Sequence, residues 1–239
     1  MINTDCWARP AFDPSLGRNR VLDALKAATS HRISPHLQSV MRERGAVVCE
    51  SEGFLDYAYF PAGSVLSLLT VLDSGSVVET ANVGTEGAFG LSAALSSSAP
   101  FVRCLVQLAG ALIRCPIGVL QEEVERSAAA RDICGSYSES ILMQVQQNMV
   151  CNGCHDMTER LCRWLLMMHD RAGREVLAYP QSFFADIMGE DRQSVMRAAE
   201  SMQADELITY RRGAIQIVDR SGLEKASCEC YAILAGQSL

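Results

Sequence analysis

The sequence predicts an α+β fold in which a β-rich N-terminal half is joined by one long helix to a helical C-terminal part that closes on a β-hairpin. Three observations carry this expectation. Short apolar segments divided by turn residues run from Gly45 to Arg114, helical spacing then persists from Pro116 to about His155, and a helix, a glycine turn, a second helix and a hairpin follow between Gln181 and Val218. A chain of 239 residues can bury two cores, and its 49% apolar and 21% charged composition is that of a globular protein rather than a disordered one.

Residues 1–18 are mixed and aperiodic, with Pro10 and Pro14, and are expected to form a flexible extension. Between Arg18 and Arg44, the spacing of Val21, Leu22, Leu25, Leu37, Val40 and Met41 predicts short helices. The segments 46–49, 57–60, 65–72, 77–83, 101–108 and 111–114 then read as strands, and so many at such short intervals point to a sandwich or barrel over residues 19–125. The long helix is expected over 126–155. In it Ile133, Tyr137, Ile141, Val145 and Met149 recur every four residues, a narrow stripe that reads as a seam against a symmetry mate in a homodimer. Packing of that stripe against its own domain is the alternative.

In the last part, 156–239, Asp156 and Glu159 can cap a helix carrying Met157, Leu161, Trp164, Leu165 and Met168 on one face, with Gly173 able to end it. A short helix from Gln181 to Met188 presents Phe183, Phe184 and Ile187. Gly189 supplies a turn, and Asp191 can cap a further helix whose buried stripe is Val195, Ala198, Ala199 and Met202. The segments 207–210 and 214–218, separated by Arg211-Arg212-Gly213, complete a winged helix-turn-helix.

The exposed side of that further helix begins with Arg192 and Gln193 and continues at Arg197. Arginine and glutamine suit bidentate contacts with guanine and adenine edges, so these three are the candidate base-reading residues on double-stranded DNA. Ser194, Arg211 and Arg212 are candidates for the sugar–phosphate backbone and the wing. Charge opposes this expectation. The net charge is −7, and the residues from Glu159 onward carry 10 basic and 12 acidic side chains, so a positive face must be a local arrangement of a few arginines.

Other functions find little support. No run of eighteen apolar residues occurs and the N-terminus lacks the pattern of a signal peptide, which predicts a cytoplasmic protein without a membrane partner. The ten cysteines then read as reduced thiols. His31, His36, His155 and His169 make no catalytic spacing with a nucleophile, and no enzyme activity is expected. Cys151-Asn152-Gly153-Cys154-His155 has the form of a haem-attachment string, but such attachment takes place outside the cytoplasm. Cys151 and Cys154 could instead form a redox pair or half a metal site. No second pair stands at suitable spacing, since Cys228 and Cys230 are too close-set for the usual zinc half-site, so no metal site is expected.

From about Asn19 onward the chain resembles the Crp/Fnr family of regulators. The resemblance rests on residues 59–65 (YFPAGSV), 83–91 (VGTEGAFGL) and 159–166 (ERLCRWLL), together with the helix-turn-helix around 189–197 (GEDRQSVMR). It implies a β-roll sensor domain of the cupin-like, double-stranded β-helix type, a dimerisation helix and a DNA-binding domain that reads a palindromic site. It also implies contact with RNA polymerase and a role as activator or repressor of transcription, and it places Arg192, Gln193 and Arg197 on the family's base-contacting positions. In cyclic-nucleotide-binding relatives a glutamate on a glycine-rich turn holds the ribose and an arginine followed by serine or threonine holds the phosphate. Glu86 matches the first and Arg103 is the candidate for the second. Cys104 follows Arg103, however, and a thiol is a poor phosphate donor, so control by cyclic AMP is not expected. Only Cys6 stands where the family's oxygen sensors bind an iron–sulfur cluster, and no such cluster is expected. A ligand- or thiol-redox-sensing module that acts through protein contacts, with a degenerate helix-turn-helix, is the alternative function.

Overall fold

The computed structural model describes residues 18–51, 53–73, 75, 77–96, 101–172, 176–179, 181–211 and 213–236. Cys6, Gly173, Arg212 and all but the last residue of the expected extension 1–18 lie outside them.

Helix α1 (Arg20–Ala28) starts at Asn19, whose buried side chain accepts from the Leu22 N–H and donates to the carbonyls of Pro61 and Gly87, fixing the helix on the β-domain. A 3-10 turn (Ser34–His36) follows. The chain then departs from the expected helix, because β1 (Gln38–Arg42) pairs antiparallel with β7 (Gly110–Pro116). Its ladder partner lies some seventy residues away, beyond the reach of local periodicity.

The expected strands are present as β2 (Val47–Cys49), β3 (Tyr57–Pro61), β4 (Val65–Val71), β5 (Val77–Val83) and β6 (Arg103–Leu108). They form two antiparallel sheets of order β1-β7-β3 and β2-β6-β4-β5. Phe60, Leu66, Ala81, Cys104, Val106 and Leu112 belong to the buried core of this domain. Helix α2 (Leu91–Leu95) and helix α3 (Ile117–Arg126) pack against each other and against α4 (Ala128–Cys154), which Ser127 caps by accepting from the Ala130 N–H.

The stripe on α4 is not one continuous face, and most of it packs against its own domain, the alternative to a seam with a symmetry mate. Ile133, Ile141 and Val145 pack against the chain's own β-domain core, to which buried Tyr137 belongs, while Met149 is 71% exposed. The reason is geometric. A step of four residues turns a helix by about 40° beyond a full turn, so the stripe rotates by about 160° between Ile133 and Met149 and passes from the inner side to the outer. The exposed large apolar side chains of this helix are Leu142, Met143, Met149 and Val150.

Helix α5 (Met157–Ala172) carries the expected capping box: Glu159 N–H donates to Asp156 Oδ1 at 2.9 Å, and Asp156 N–H to Glu159 Oε2 at 3.1 Å. After it come β8 (Val176–Ala178), α6 (Gln181–Met188), α7 (Arg192–Ala204), β9 (Ile208–Arg211), β10 (Ala214–Ile217), α8 (Arg220–Ala226) and α9 (Cys230–Ala235). The expected hairpin gains a third strand, in the order β8-β10-β9. The three-residue β8 is too short to show a period of its own.

A second core unites the two halves. Val65, Leu69 and Leu108 of the β-domain join Leu161, Trp164, Leu165, Phe184, Ile187, Val195 and Met202 in one buried cluster. Polar contacts reinforce it. Glu79 on β5 accepts from Asn82 Nδ2 at 2.9 Å, Gln107 Nε2 at 2.5 Å and Trp164 Nε1 at 3.0 Å, and also from the Ser67 hydroxyl. Its burial pushes the carboxyl pKa up against these hydrogen bonds. Asn148 on α4 accepts from Arg163 and donates to the Thr80 carbonyl, linking α4, α5 and β5.

Candidate nucleic-acid interface

The α6–turn–α7 unit is built from its turn outward. Gly189 has φ +64°, a left-handed conformation open to glycine and costly for a side chain that must enter the turn. Asp191 caps α7: its Oδ1 accepts from the N–H groups of Gln193 (2.9 Å) and Ser194 (3.0 Å), and its Oδ2 from the Ser194 hydroxyl (2.6 Å). The Ser194 hydrogen bond and the backbone donors hold the Asp191 carboxyl below its ordinary range, so it is a firmly ionised cap at the positive end of the helix.

Arg160 and Glu190 explain how an acidic sequence can present a basic edge. Buried Arg160 on α5 donates to Glu190 Oε1 at 2.6 Å and to the Met188 carbonyl at 2.7 Å. One residue thereby holds the end of α6 and neutralises the carboxylate beside α7. Sequence reasoning missed this role. The available signal was an arginine standing inside an otherwise apolar, buried helix segment, where a charge is retained only if it is paired.

With the two carboxylates occupied, Arg192, Gln193 and Arg197 are exposed on the outer side of α7, where Val195, Ala198 and Met202 face the core. Arg197 Nη2 donates to Ser194 Oγ at 2.9 Å, so Ser194 joins the cap to the arginine. Burial raises the Tyr210 hydroxyl pKa, and the Arg192 charge acts against it. Arg211 is exposed at the end of β9, while its expected companion Arg212 lies outside the described residues. Helix N-terminal turn, arginines and wing therefore present donors suited to phosphates and base edges.

The expected effector residues are placed differently. Glu86 Oε1 accepts from Arg171 Nε on α5 and from the Gly84 N–H, both at 2.9 Å. Gly87 lies so close to the Tyr137 ring that a Cβ there would collide with it. Arg103 is ion-paired at 3.1 Å with the exposed carboxylate of Glu50. Glu86 and Arg103 are thus each engaged by a different partner.

The cysteines are regrouped as well. Cys154 is exposed, while Cys151 meets His155, Cys228 and Cys230, with all four ligand atoms within 4.8 Å of one another. The motif spacing of the sequence had separated residues that tertiary structure joins. Among the described residues no helix is long and apolar enough to cross a membrane.

Residues 159–226 match the Crp-like helix-turn-helix domain. No curated protein matches the chain. Among solved structures it is similar to FixK2 from Bradyrhizobium japonicum (15% identity, TM-score 0.70, covering 80% of this chain and 98% of that one). It is also similar to a Crp/Fnr-family putative transcriptional regulator from Eubacterium rectale (17%, 0.66, 86% and 96%). A third is CLP from Xanthomonas campestris, a c-di-GMP-responsive global regulator (16%, 0.63, 81% and 99%). The chain therefore has the fold of Crp/Fnr transcriptional regulators, with a cyclic-nucleotide-binding-like β-domain and a Crp-like helix-turn-helix domain.

Proposed function

We propose that this protein is a sequence-specific transcriptional regulator that places α7 in the major groove and reads base edges with Arg192, Gln193 and Arg197. The observation that carries this reading is the division of charge at α7: Glu190 is bound by Arg160 and Asp191 by the helix cap, which leaves the arginine edge exposed. Ser194 and Arg211 are suited to phosphates, and Arg212 follows Arg211 in the chain.

The working unit is a homodimer. Along α4, Gly135, Leu142 and Met149 stand seven residues apart, as do Ser136, Met143 and Val150, and the four large apolar members of these rows are exposed. A seven-residue repeat stays on one side of a helix, and a second copy of this helix is its natural partner. Two α7 helices related by a two-fold axis would read half-sites about 34 Å apart, one turn of DNA, or a multiple of it.

The effector is not cyclic AMP. Supporting this, Glu86 is engaged by Arg171, Arg103 is paired with Glu50, and Cys104 stands where a hydroxyl would bind phosphate. Contact with RNA polymerase follows from the same likeness to known regulators.

Selection of bound sites from random duplexes with the purified full chain tests the proposal. A two-fold symmetric consensus, recovered without added nucleotide, is the expected result. Absence of any enriched sequence at low salt would instead favour a sensing module that acts through protein contacts.

A further inference from the structure

Three buried cysteines, Cys151, Cys228 and Cys230, form a sulfur cluster separate from both large cores, and His155 completes it. We propose that these four residues form a closed tetrahedral site for one zinc-type divalent ion, held by three thiolates and one imidazole.

The distances match a single ion. Metal–sulfur bonds of about 2.3 Å and metal–nitrogen bonds of about 2.0–2.1 Å in a tetrahedron put sulfurs about 3.8 Å apart, and sulfur and nitrogen about 3.5 Å apart. Cys151 Sγ lies 3.5 Å from Cys228 Sγ, and Cys230 Sγ lies 3.6 Å from His155 Nδ1. An iron–sulfur cluster distributes its ligands over several irons and requires them farther apart, so four donors within 4.8 Å favour a mononuclear site. Thiolate donors also select against magnesium and calcium, which take oxygen ligands.

The surroundings are those of a metal site too. His155 directs Nδ1 at the cluster while its Nε2 lies 3.1 Å from Glu229 Oε2, the carboxylate–histidine arrangement that orients a ligating imidazole. Gln147 Nε2 is 2.9 Å from Cys230 Sγ and donates to it. The ligands come in two pairs: Cys151 and His155 are one helical turn apart at the end of α4, and Cys228 and Cys230 flank the residue that precedes α9. An ion here ties the end of the long helix to the last helix of the C-terminal unit, at the residue where α4 gives way to α5.

The same atoms could instead form a disulfide between Cys151 and Cys228, with loss of two electrons and two protons to an oxidant. Metal analysis decides between them. Full-length protein purified under reducing conditions, exposed to zinc and freed of excess by gel filtration, is expected to retain about one zinc ion per chain. Loading with cobalt is expected to give the visible bands of tetrahedral thiolate coordination. Cys230→Ser and His155→Ala are expected to weaken metal affinity at least tenfold with circular dichroism unchanged, while His155→Cys restores it. Cys154→Ser, at the neighbouring exposed cysteine, is expected to leave it intact. Less than a tenth of an equivalent of zinc in the wild-type chain, a Cys151–Cys228 disulfide in the reduced preparation, or equal loss in Cys154→Ser would overturn the proposal.

Discussion

The outer edge of α7 and the surroundings of the expected effector residues Glu86 and Arg103 hold the same kinds of residue, arginines beside carboxylates, and put them to opposite uses. At α7 the carboxylates are held from behind, Glu190 by Arg160 and Asp191 by the helix N-terminus, and the arginines remain at the surface. On the β-domain, the carboxylate of Glu86 in the 84–87 turn is itself bound by Arg171, and the candidate phosphate ligand Arg103, on β6, is bound by Glu50. What decides whether a charged side chain is available for a ligand is which group holds its counter-charge. A domain balance of 10 basic against 12 acidic residues is therefore compatible with a positive edge. The two sides of α4 differ in the same way: the inner side is filled by the chain's own core and the outer side is not.

The largest effect is expected where that outer side is broken. Leu142→Glu combined with Met149→Glu should convert a dimer to a folded monomer, and the loss of bivalent binding should reduce operator affinity by about 10²–10⁴-fold. Sedimentation and DNA titration at matched salt check this, and an unchanged dimer would place the interface elsewhere. Next comes the turn. Arg171→Ala leaves the Glu86 carboxylate, 12% exposed, without its ion-pair partner, and should cost about 3 kcal/mol in denaturant unfolding. Added cyclic AMP should change neither that stability nor DNA affinity. A stabilisation by cyclic AMP in the wild-type chain would show that Glu86 is an effector ligand after all.

Arg197→Ala should have the smallest and most selective effect. It is expected to lose about 1–3 kcal/mol at one base pair of each half-site while binding to unrelated duplexes stays nearly constant. Equal weakening on every sequence would make Arg197 a phosphate contact, and the comparison between the two regions would then concern charge alone.

Much of the C-terminal unit was legible from residue pattern. The Asp156–Glu159 capping box, the Asp191 cap, the glycine turn and the buried stripe of α7 are contacts between residues a few positions apart, and the structure contains each of them. The β-domain was legible in its strands but not in their partners. β1 resembled a helix because Leu37, Val40 and Met41 happen to fit a helical spacing, and β8 was invisible at three residues.

By itself the sequence determined the class of fold, the succession of β-rich half, long helix and helix-turn-helix, and the residue types along α7, because caps, turns and amphipathic periods act over one or two helical turns. Tertiary structure alone decided which charges are spent and which are free, which side of α4 is covered, and that Cys151 meets Cys228 from 77 positions away. Those outcomes depend on the packing of distant segments, where an ion pair, a shared core or a four-ligand cluster forms only once the chain has folded.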